Sequence, residues 1–149
     1  MSCAAVAAAS LLWLASGPAA APAPTPAAAT APPSVAAEPL FMDIVGRAGR
    51  LKAQVEAFRG ASSGVDAGFR QAIGELAALD LQGHKLLAAR GTDGDLKCIL
   101  RGISEDLPVK LAAVDAATDP KARDLALREM AYLLNDNVEV ITSPPIPAV

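Results

Sequence analysis

LKCILRGISEDLPVKLAAV, residues Leu96–Val114, is the stretch on which the fold turns. Leu96, Leu100, Ile103, Leu107, Leu111 and Val114 recur at intervals of three or four, the signature of one face of an α-helix. Pro108 falls inside this run, has no N–H to give the Ser104 carbonyl and crowds the preceding turn. The apolar phase nevertheless survives the proline. The pattern therefore predicts one helix kinked at Pro108, with two helices meeting at Asp106–Leu107 as the alternative.

The same spacing extends outward on both sides. Upstream, Phe41, Ile44, Val45, Ala48, Leu51, Val55 and Phe58 form a first helical stripe, stopped by Gly60. Ser63 then caps a second helix, with Asp66 three residues on as its reciprocal partner. Val65, Phe69, Ile73, Leu76, Leu79 and Leu87 carry that helix to Arg90, where Gly91 ends it. Thr92 and Asp95 repeat the capping device before the Leu96 helix. Downstream, Asp119-Pro120 pairs an N-cap with the residue best suited to a first helical turn. Leu125, Leu127, Met130, Leu133, Leu134, Val138 and Ile141 supply the fourth stripe. VEVIT at Val138–Thr142 is a weak strand signal, too short to change the class. Four helices joined by short links imply an all-α, antiparallel up-down-up-down four-helix bundle spanning 40–141.

The remainder of the chain has a different texture. The sequence holds 13 Lys and Arg and 16 Asp and Glu, and none precedes Glu38. MSCAAVAAASLLWLASG is apolar but short of the roughly 20 residues of a membrane-spanning helix. Residues 1–19 read as a signal-like leader with cleavage between Ala19 and Ala20, although the usual early Lys or Arg is missing. The missing charge is accounted for if Met1 is an internal methionine of a longer precursor. From Pro18 to Pro39 there are seven prolines in 22 residues, so 20–39 reads as a disordered Pro/Ala-rich tether. TSPPIPAV gives a Pro-rich disordered tail over 142–149. A periplasmic or secreted location is the expectation, with no transmembrane span in the mature chain.

A net charge of −3 with three Phe, one Trp and one Tyr argues against nucleic acid, which calls for a basic face and stacking aromatics. Chemistry has few candidates. His84 is the single histidine, and Cys98 would be the sole thiol after loss of the leader that carries Cys3. A nucleophile and its base must come within about 3 Å. Helical phase at about 100° per residue sets His84 at the edge of its stripe and Cys98 roughly 160° from the centre of its own. The two are thus expected to point apart. His84 with Met42 or Met130 invites comparison with haem-ligating bundles, but no C-x-x-C-H occurs and one His supplies too few ligands for a tight metal site. An outward Cys98 suggests a disulfide-linked homodimer, or a thiol-dependent redox role aided by Lys97 and Arg101. Asp93 and Asp95 are explained by capping rather than calcium, which needs more oxygens at fixed spacing. No G-x-S-x-G, phosphate-binding glycine loop or H-E-x-x-H is present. No polar cluster is expected to face the apolar stripes. The sequence points to a non-enzymatic interaction or accessory protein with a partner in the cell envelope, with a haem or metal bundle using His84 as the alternative and Cys98 redox chemistry as a weaker one.

Overall fold

The structure is a computed structural model that describes residues 35–59, 61, 64–91 and 94–143. The leader, most of the tether, Gly60, Ser63, Thr92, Asp93 and the tail after Ser143 lie outside the described residues. A 3-10 turn at Val35–Ala37 leads into α1 (Pro39–Arg59), followed by α2 (Ala67–Arg90), α3 (Gly94–Ala116) and α4 (Pro120–Thr142).

The folded part reaches back to Val35, into the last residues of the expected tether. Pro39 was counted with the tether because it is a proline, yet a first helical turn needs no N–H there. Glu38 fastens this entry by a two-pronged ion pair to Arg90, at 2.7 and 2.8 Å.

Each helix packs on two neighbours: α1 on α2 and α4, α3 on α2 and α4. The diagonal pairs, α1 with α3 and α2 with α4, have no Cα atoms within 8 Å among the described residues. Direction follows from side-chain pairs. Lys52 reaches Asn135 and Arg59 reaches Asp124, so α1 and α4 run antiparallel. Arg47–Glu75, Arg70–Asp115 and Lys110–Glu129 bridge the other three adjacent pairs. This is an antiparallel four-helix bundle. The exposed ion pairs contribute little individually and serve mainly to register the helices.

The core is built from the expected stripes. Phe41, Ile44, Ala48, Leu51 and Val55 of α1 face Phe69, Ile73, Leu76 and Leu87 of α2. From α3 come Leu96, Leu100, Ile103, Leu107 and Val114, and from α4 Leu127, Met130, Ala131, Leu134 and Ile141. Fully burying such side chains contributes roughly 1.5–3 kcal/mol each. Phe58 and Phe69 meet edge to face, with centroids 5.2 Å apart, where the chain passes from α1 to α2.

Punctuation differs from expectation at one end. Asp66, expected as the third residue of a Ser63 box, is itself the N-cap of α2, with extended backbone and its carboxylate accepting from the Phe69 N–H at 2.7 Å. Val65 is buried just before it, which holds the backbone extended until Asp66. Gly91 ends α2 at φ 65°, a left-handed setting that a side chain would strain. Asp119 caps α4 by accepting from the N–H groups of Lys121 and Ala122. Pro108 lies within α3, and the helix continues past it to Ala116.

Candidate functional site

Two polar residues break the apolar stripes in the middle of the bundle. On α2 the buried ladder runs Phe69, Ile73, Leu76, Asp80, Gly83, Leu87; on α4 it runs Leu127, Met130, Leu134, Asn137, Ile141. Asp80 and Asn137 have no exposed surface at all. The expectation that no polar cluster faces the stripes is therefore corrected. The physical reason is positional: each occupies a place that helical spacing reserves for a core residue.

The two side chains meet across the bundle diagonal. Asn137 Nδ2 donates to Asp80 Oδ2 at 2.9 Å, linking helices whose backbones do not approach each other. Ser104 of α3 is buried too, its hydroxyl donating to the Arg101 carbonyl of its own helix at 2.7 Å. Interhelix pairs Arg70–Asp115 and Lys110–Glu129 set the register of α2, α3 and α4. They bring Asp80, Ser104 and Asn137, one residue from each of these helices, to within about 3 Å of a common level. Small or polar residues thus replace Leu and Ile in one layer.

Burial withholds solvation from the charged form of Asp80 and pushes its carboxyl up to about 8, against which the Asn137 hydrogen bond works. Asp80 Oδ1 and Asn137 Oδ1 are both buried without a hydrogen-bond partner. An unmatched buried acceptor costs about 1–3 kcal/mol. Two of them on one hydrogen-bonded pair mark a site with a single missing donor.

The residues singled out from the sequence fall elsewhere. His84 is half-buried on α2 and turns Nδ1 to the Lys97 carbonyl at 2.7 Å, as donor in the Nδ1–H tautomer. That orientation leaves Nε2 as the ring atom able to reach a metal or haem iron. Met42 is 59% exposed on α1, whereas Met130 is fully buried in α4. Extending the Lys52–Asn135 and Arg59–Asp124 register at 1.5 Å per residue sets these two methionines roughly 20 Å apart along the bundle. The two methionines therefore lie at different levels of the bundle. Cys98 is half-buried on α3. No group of three or more His, Cys, Asp or Glu that could hold a metal occurs among the described residues. No helix among them is long and apolar enough to cross a membrane.

A groove between α1 and α2, lined by Arg47, Arg50, Leu51, Gln54 and Ala72, is open to solvent. Arg47 there is already matched by Asp43 and Glu75. On the other side of the molecule, Val109 of α3 is 63% exposed, and Leu125 and Tyr132 of α4 are 49% and 68% exposed. Leu125 was expected in the core stripe; Asn137 holds a buried position that the expected stripe did not include. Val109 adjoins Lys110 in α3, and Leu125 and Tyr132 flank Glu129 in α4 by about one turn on either side, about 10 Å apart along the helix.

Compared with protein-family models, with curated proteins and with solved structures, the chain shows no match.

Proposed function

We propose that this chain is an exported, periplasmic or secreted, helical-bundle protein with a non-catalytic interaction or accessory role in the cell envelope. The observation that carries the interaction reading is the exposed trio Val109, Leu125 and Tyr132 on the α3–α4 face. Exposed large apolar side chains on two adjacent helices, over a core already filled by Leu, Ile and Phe, suit contact with another protein. Tyr is especially suited to such contacts, because its ring brings large apolar area and its hydroxyl a polar handle. Export rests on the uncharged, apolar beginning of the chain followed by a Pro/Ala tether that would hold the bundle away from its anchorage.

Cross-linking and affinity capture from envelope fractions test the interaction, with the full chain and a Val109→Ser/Tyr132→Ser variant as parallel baits. A partner recovered by the wild type and lost by an equally helical, equally stable variant supports the reading. Recovery of the same proteins by both contradicts it. Mass spectrometry of the chain's N-terminus tests export: a terminus near Ala20 in an extracytoplasmic fraction is expected, and an intact Met1 in the cytosol refutes it.

A further inference from the structure

We propose that Asp80 and Asn137 form a proton-operated latch, in which a neutral Asp80 closes a two-bond ring with the Asn137 amide and ties α2 to α4 across the core. The argument begins with the atoms. Asn137 Nδ2 already donates to Asp80 Oδ2, and the two oxygens left over, Asp80 Oδ1 and Asn137 Oδ1, belong to the same carboxyl and the same amide. Both are acceptors when Asp80 is ionised, so neither can satisfy the other. A proton on Oδ1 turns that atom into a donor, and the unmatched acceptor of the same pair is Asn137 Oδ1. One proton thereby satisfies both orphaned oxygens, in the pairing that carboxylic acids and primary amides form.

Loss of the proton reverses this. The proton leaves to solvent, and two oxygens without donors plus a full charge stay buried in the bundle interior, a combination that protein interiors tolerate poorly. Because α2 and α4 have no backbone approach of their own, the pair is the direct polar tie between them, and ionisation loosens it.

Among the described residues, no charged group opposes the Asp80 carboxylate as a partner. On α1, Arg47 is held by Asp43 and Glu75, and Lys52 by Asn135. On α2, Glu75 would only repel, and His84 is turned to the Lys97 carbonyl of α3. On α3, Ser104 bonds within its own helix, and Arg101 pairs with Glu105. On α4, Asp136 and Glu139 are acidic. The shift of Asp80 comes from burial, opposed by Asn137.

The test is equilibrium urea unfolding of the full chain from pH 5 to pH 10, wild type beside Asp80→Asn. The new amide has a donor where neutral Asp80 has its hydroxyl, so the variant stays latched at every pH. Every other titratable group is common to both proteins and cancels in the comparison. The ratio of the two unfolding constants is expected to grow about tenfold per pH unit up to about pH 8 and then level off. Parallel curves overturn the proposal. Should Asp80→Asn fail to fold, infrared spectra of wild type with isotopically labelled Asp decide: a protonated carboxyl band at pH 6 that vanishes by pH 10 supports the latch, and its absence at pH 6 overturns it.

Discussion

At Asp80 a single side chain sets how the molecule responds to pH. A carboxyl held near 8 in the folded state and near 3.8 when unfolded keeps its proton longer in the fold than out of it. Its contribution to stability is therefore complete below about pH 4 and declines as pH rises, by roughly 1.4 kcal/mol per unit, until the folded group ionises. Glu38, Asp115 and Asp124 act in the opposite sense, since their hydrogen bonds to Arg90, Arg70 and Arg59 hold them below the usual carboxylate range. They strengthen the fold at neutral pH and lose that effect in acid. The two trends together predict greatest stability in mildly acidic solution, around pH 5, measurable as the maximum of melting temperature against pH. Replacing Asn137 by Leu removes both bonds that the amide offers to neutral Asp80. It is expected to cost about 1–3 kcal/mol at neutral pH, read by the same unfolding curves.

The helices show why some elements were plain in the sequence and others were not. The α3 stripe from Leu96 to Val114 was legible because its period survives Pro108, and the helix does continue there. Pro108→Ala restores an N–H for the Ser104 carbonyl and is expected to stabilise the bundle by about 1–3 kcal/mol, a gain readable in urea. The Asp119-Pro120 start and the Gly91 stop were legible because capping chemistry is local. The buried pair was not, since Asp and Asn are most often surface residues and their burial depends on a partner 57 positions away. A signal was present all the same: both sit in the three-four ladder of their helices, where an apolar residue belongs. Gly83 occupies a similar place. A Cβ there would lie 3.2 Å from Leu100 Cδ1 and 3.3 Å from Phe41 Cε1, so α2 packs closely on its neighbours at that turn. Gly83→Val is expected to destabilise by about 1–3 kcal/mol through overpacking, despite removing a poor helix former.

For the molecule as a whole, the arrangement of helices followed from four stripes and short links, and the side-chain pairs between adjacent helices confirm their directions. The exposed apolar residues of α3 and α4 were less legible. Leu125 was read as core because it shares its helix with a true stripe, but it lies on the exposed face beside Tyr132. Serine at Val109 and Tyr132 is expected to leave the melting temperature within a few degrees of wild type, so that any lost interaction reflects the surface and not the fold. The bundle thus combines a conventional apolar core, an outward apolar face on α3 and α4, and one polar layer whose neutrality the packing requires. That last requirement is the centre of the account. Its most direct measurement is the carbon-13 shift of the Asp80 carboxyl in the full chain, followed from pH 3 to pH 10. A single transition near pH 8, lost in Asp80→Asn, is the predicted result; a transition at the ordinary carboxylate position, near 4, contradicts it.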